Sequence, residues 1–102
     1  METFGRKKIE LFIERPLLPR VLRLIKSTGA TGYTVLPTLQ GGGQDGVWDE
    51  GLPIDAQHMV QVVVITNAER ADAILEGIKP MLGTWQGVVC VSDVQVLRRE
   101  RF

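Results

Sequence analysis

MVQVVVITNAERADAILEGIKP, residues 59–80, is the stretch on which the fold turns. Met59 to Thr66 is nearly continuous apolar, the pattern of a central strand covered on both faces. Asn67 then stands as an N-cap, and Ala71, Ile74, Leu75 and Ile78 repeat at helical spacing until Pro80 and Gly83 end the helix. Working outward from this strand and helix, KKIELFIE (7–14) alternates Ile9, Leu11 and Ile13 with Glu10, Phe12 and Glu14, the two-residue period of a strand with one buried face. After Pro16, Leu18, Val21, Leu22 and Ile25 fall on one side of a helix, with Arg20, Arg23 and Lys26 on the other. Gly29 follows as a left-handed cap, and YTVLPTL (33–39) reads as a strand whose Pro37, lacking a backbone donor, points to an edge or a bulge. GVVCVSDV, Gly87 to Val94, supplies a last strand.

The order is strand, helix, strand, repeated once. That is the split βαβ pattern of a ferredoxin-like α+β domain, βαββαβ, with two helices on one face of a four-stranded antiparallel sheet and a long loop between the second and third strands. At 102 residues the chain makes a single domain, 1–102. The helix pair covers one sheet face only. The other carries Phe12 and part of the Val62 to Ile65 run, and burial between copies of the chain is the preferred way to cover it.

With 44% hydrophobic and 24% charged residues, composition is that of an ordinary soluble globular protein. Twelve basic and twelve acidic residues cancel, so net charge gives no argument for a nucleic-acid partner. Cys90 is the single cysteine and excludes an internal disulfide, and METFGRKKIE shows no signal peptide, which places the protein in the cytoplasm.

Between the second and third strands lie about 18 residues, Gln40 to Gln57, far beyond a hairpin turn and of the length that is usually functional or disordered. Glycines make this loop flexible. Trp48 leaves a large apolar area in water unless a partner, an adjacent subunit or its own domain covers it. Gly41, Gly43 and Gly46 satisfy the G-x-G-x-x-G spacing, but no helix start follows and there is no Gly-Lys-Ser/Thr ending, so neither phosphate-loop motif is supported.

Catalytic chemistry has little to stand on. His58 is the only histidine and reads as a surface or strand-end residue, and Cys90, mid-strand among apolar neighbours, as an inert buried thiol. Asp45, Asp49, Glu50 and Asp55 match no calcium loop and read as a solvated acidic loop, with no metal expected. Arg98, Arg99 and Arg101 form a basic cluster that could hold phosphate or carboxylate, or be a charged tail.

GATGYTV, Gly29 to Val35, followed by a glycine-rich loop, an apolar strand, a helix and a last strand ending in an arginine-bearing segment, resembles the PII signal-transduction superfamily over nearly the whole chain. GYTV in place of the usual GMTV, the short link before the last strand and the ending SDVQVLRRERF resemble its PII-like branch linked to bicarbonate transport and carboxysomes. The resemblance implies a non-enzymatic, cytoplasmic homotrimer with an adenine nucleotide in each cleft between subunits, and a T-loop, about 40–57, that contacts a target transporter or metabolic enzyme of inorganic carbon or nitrogen metabolism.

Residue by residue, Thr34 and Val35 match the adenine pocket, and Gly41 and Gly43 the glycines at the loop's base. Gly87 falls at the end of the segment in the place of the phosphate-wrapping B-loop, and Arg98 and Arg101 match C-terminal arginines that reach phosphate. Gln44, Asp45, Trp48 and Asp49 are the candidate partner contacts. The sequence also departs from the pattern. The B-loop's TG-x-x-GDGK is replaced by GTWQG, Gly83 to Gly87, and the lysine before the third strand by His58 or Met59. Each lost charge-assisted hydrogen bond is worth roughly 1.5–3 kcal/mol, which favours AMP or ADP, with bicarbonate, over ATP. No cofactor is obligatory. The one tyrosine, Tyr33, lies outside the loop, so loop uridylylation is not expected. The alternative from another class is a structural or metal-binding trimer of the CutA kind, which shares the fold but lacks the long glycine loop.

Overall fold

The structure, a computed structural model, describes residues 1–43, 46–49, 58–84 and 87–102. β1 (Phe4–Glu14) pairs antiparallel with β5 (Met59–Thr66), setting Ile9 opposite Val64, Leu11 opposite Val62 and Ile13 opposite Val60. All six side chains are buried on one face and form the floor of the core. Burying a residue of this size contributes about 1.5–3 kcal/mol, so the seam is the main apolar anchor of the sheet. β2 (Tyr33–Pro37) adds to the free side of β5 and β6 (Gly87–Val96) to the free side of β1, giving the order β2-β5-β1-β6. Pro37 stands on an edge strand, where its missing donor breaks no ladder hydrogen bond.

Both helices lie over the Ile9 to Val64 face. A short 3-10 turn, Arg15–Leu17, leads into α1 (Leu18–Ser27), whose first turn tolerates Pro19 because no donor is needed there. Val21 and Ile25 are fully buried, and Leu18 and Leu22 pack against the cluster. Gly29 ends this segment at φ +90°, its N–H donating to Lys26 O at 3.1 Å, the left-handed cap expected from the sequence. α2 (Ala68–Ile78) begins where Asn67 Oδ1 accepts from Arg70 N at 2.8 Å, and buries Ala71, Ile74 and Ile78. The helices come close at Gly77, where a Cβ would run into the Leu24 side chain.

Four sequence expectations need correction. The helix ends before Pro80, yet Lys79–Thr84 continues as a 3-10 turn, because a proline near the start of such a turn removes no needed donor. β5 is central but covered on one face only: Val62, Val64 and Thr66 are buried while Gln61, Val63 and Ile65 are half-buried, since both helices sit on the same side. Cys90 is exposed, not buried, because it belongs to the edge strand β6 and pairs with Glu10 on the face that no helix covers. Part of the predicted loop is strand: β3 (Gln40–Gly43) and β4 (Gly46–Asp49) form their own two-stranded ladder, Gln40 opposite Asp49 and Gly43 opposite Gly46. Val47 and Trp48 have the β preference that the facing glycines lack, and the ladder satisfies main-chain groups the glycines leave bare. Gln44, Asp45 and residues 50–57 lie outside the described residues.

Two substitutions test this packing. A Cβ at Gly87, whose φ is +154°, would collide with the Phe12 carbonyl oxygen, so Gly87→Ala should lower stability by at least about 2 kcal/mol in urea denaturation. Thr66 is 1% exposed and its hydroxyl has no hydrogen-bond partner among the described residues. Thr66→Val keeps the shape and removes the unsatisfied group, and should raise stability by about 1 kcal/mol in the same measurement.

Candidate functional site

The sequence-predicted site residues fall into three places on the sheet. The first is the neck of the 40–57 segment. The Thr38 hydroxyl donates to Met59 O at 2.5 Å, and His58 Nε2 lies 3.1 Å from Thr38 O, so the ring nitrogen carries the proton and donates. On its other side His58 O accepts from Arg15 N at 2.9 Å. The two chains that lead into and out of the segment are thereby tied to each other and to the end of β1. Gly41 and Gly43 lie on β3 just beyond this neck. His58 is the latch of the neck, a role that its type and position alone did not reveal.

The second place is β2. Register puts Thr34 opposite Val63 and Val35 opposite Val62, so the two side chains point to opposite faces. Val35 packs against the core under the helices, and Thr34 stands exposed on the open face in the row of Val63, Glu10 and Cys90. Of the two residues matched to an adenine pocket, Thr34 alone offers its side chain to that face. The same face holds a polar network: Gln61 Nε2 donates to Glu10 Oε2 at 2.9 Å and Lys8 Nζ is 3.8 Å from Glu10 Oε1. Gly87 is at the far edge of the sheet. It pairs with Ile13, which pairs with Val60 and then with Pro37, so it stands three strands, about 14 Å, from the end of β2. Its glycine is required by the Phe12 carbonyl whatever else it does.

The third place is the C-terminal segment. After β6, a 3-10 turn, Arg99–Arg101, carries the exposed Arg98 and Arg101. It leaves the sheet next to Phe4, which pairs with Val96, roughly 30 Å along β1 from the row of Pro37 and Gly87. Phe102 then reaches Gly32 at the start of β2. Trp48 and Asp49 lie on β4 as backbone, and Gln44 and Asp45 are outside the described residues. A cleft of about 370 Å³ beside the start of α2, lined by Arg6, Lys7, Ala68 and Asp93 among others, contains none of the predicted residues. At its rim Lys7 pairs with Asp93, which holds the ammonium pKa above its ordinary 10.5 by hydrogen bonding and charge. Among the described residues no helix is long and apolar enough to cross a membrane.

A ferredoxin-like sheet with one face uncovered and a hairpin-bearing insertion between β2 and β5 defines the architectural class. The chain belongs to the nitrogen regulatory protein P-II family, whose model matches residues 6–101. It is similar to CPII, a nitrogen regulatory PII-like protein from Thiomonas intermedia K12 bound to ADP, AMP and bicarbonate, with a TM-score of 0.91 at 26% identity over 99% of this chain and 96% of that one. CPII bound to ADP and bicarbonate gives 0.89 at 28% identity, covering 99% and 97%. A putative PII-like signalling protein from Thermus thermophilus gives 0.84 at 23% identity, covering 100% and 99%, a likeness of fold alone. No curated protein sequence matches the chain.

The neck generates a direct prediction. His58→Ala removes one tie and should lower stability by only about 1 kcal/mol. It should also measurably speed proteolysis within residues 40–57, read by mass spectrometry of the fragments. Unchanged cleavage would show that the His58 ring is not needed to hold the neck.

Proposed function

We propose that this chain is a non-enzymatic PII-like regulator. It senses AMP or ADP together with bicarbonate in clefts between the subunits of a homotrimer, and acts through residues 40–57, its T-loop, on a target transporter or metabolic enzyme in the cytoplasm. The observation that carries the reading is the division of the candidate residues. The loop base with Gly41 and Gly43, the Gly87 edge and the Arg98 to Arg101 turn are separated by about 14 Å across the sheet and roughly 30 Å along it. One chain cannot bring them round a single ligand. Neighbouring copies, packed through the open face that Val63, Ile65, Phe12 and Val88 leave uncovered, can do so at each boundary.

Ligand class follows from charge. The segment 83–87 has neither the aspartate nor the lysine of a phosphate-wrapping loop, and residues 40–57 hold no lysine or arginine. Cations for phosphate come from Arg98 and Arg101, enough for one or two phosphates and too few for a triphosphate held in the family's usual way. The CPII structures with ADP, AMP and bicarbonate support this choice. Ordering of the loop by the ligand then shifts the population of target-competent conformations.

Calorimetric titration with AMP, ADP and ATP, with and without bicarbonate, tests the reading. Micromolar AMP or ADP binding strengthened by bicarbonate is expected, with Arg98→Ala and Arg101→Ala each weakening it about tenfold. Absence of binding by every nucleotide would sink the sensor function. Deleting Gly41 to Gly51 should leave the trimer intact in sedimentation while abolishing target control; retained control would sink the loop mechanism.

A further inference from the structure

We infer that Arg6 is a positioning residue that clasps the C-terminal turn across the open face, and so presents Arg98 and Arg101. That they meet phosphate rests on the function proposed above; the clasp itself does not.

Arg6 lies near the start of β1 on the face opposite Ile9, and its guanidinium donates to three main-chain oxygens. Nη1 meets Gly5 O at 2.7 Å, Nη2 meets Arg99 O at 3.1 Å, and Nε meets Phe102 O at 3.1 Å. Two of these acceptors belong to the C-terminal turn, 93 and 96 residues away in sequence. The planar fork of guanidinium N–H groups suits several carbonyls at once, a geometry that a lysine ammonium does not reproduce.

Two further contacts hold the same turn from other sides. The Phe102 ring occupies the space above Gly32, where an added Cβ would stand 3.3 Å from Cδ1. The Arg99 guanidinium lies over the Phe4 ring, 5.2 Å from its centroid. The turn therefore runs from the β6 edge, across β1, to the entrance of β2 at the opposite edge of the sheet. Within it, Arg101 N donates to Arg98 O at 3.1 Å and Phe102 N to Arg99 O at 3.3 Å.

Charge gives an independent argument. Arg6, Arg98, Arg99 and Arg101 gather at one end of the sheet, and among the described residues no salt bridge joins any of them to a side-chain carboxylate. Four guanidiniums so gathered repel one another, and carbonyl dipoles at Arg6 together with ring packing hold the segment in place. With the backbone of the turn held by these contacts, the exposed Arg98 and Arg101 need less ordering when an anion arrives.

The test uses the intact protein. Arg6→Gln and Phe102→Ala should each speed tryptic cleavage within Arg98 to Arg101 about tenfold, read by mass spectrometry, because cleavage follows opening of the turn. The thermal midpoint should barely move, since both residues lie outside the buried core. Arg6→Lys, with the charge kept and the fork lost, should cleave like Arg6→Gln, and all three variants should bind AMP more weakly than wild type. Unchanged cleavage in both Arg6→Gln and Phe102→Ala overturns the clasp. Faster cleavage with unchanged AMP affinity, or full affinity in Arg6→Lys, overturns the positioning role. If the wild type binds no adenine nucleotide, the proposed function fails, and the cleavage rates still decide the clasp.

Discussion

The register between β1 and β5 is the constraint on which the rest depends. With Ile9 opposite Val64, Leu11 opposite Val62 and Ile13 opposite Val60, these six branched side chains all lie under the helices. A slip of one residue would turn that row to the other face and bring Lys8, Glu10 and Phe12 beneath α1 and α2. The same register fixes what the open face carries: the Lys8, Glu10 and Gln61 network, Thr34 in its row, and Arg6 beside the chain's last turn.

Much of this was legible in the sequence, for reasons that are local. The alternation of Ile9, Leu11 and Ile13, the spacing of Val21 and Ile25, the cap at Asn67 and the left-handed Gly29 each depend on neighbours within a few residues. What stayed hidden depends on placement across the sheet. Apolar neighbours made Cys90 look buried, but burial is decided by where the helices lie, and they leave that face of the edge strand bare. The run Met59 to Thr66 looked covered on both sides for the same reason.

The candidate site was legible in part. A long glycine-bearing insertion could be seen, but not its paired strands, because glycine gives no signal for strand until a β-preferring partner such as Val47 is set against it. In sequence Gly87 reads as the start of the last strand, whereas the demand for glycine there comes from the Phe12 carbonyl on another strand. The part played by Arg6 left no trace in the pattern, since its acceptors are main-chain oxygens that any residue type would supply. His58 read as a surface or strand-end residue, and it does stand directly before β5, but that it joins two distant strand ends was not visible in the sequence.

The closed neck has a consequence for how the chain can change over generations. Thr38 and His58 bring the ends of the 40–57 segment together independently of what lies between them. Once ends are fixed, doubling the length of a loop costs only about 0.6 kcal/mol in closure entropy. Insertions, deletions and substitutions beyond the neck are thus nearly decoupled from the seam of the core. The insertion can change in length and sequence while the scaffold beneath it keeps its stability, which makes it a natural place to graft a foreign peptide.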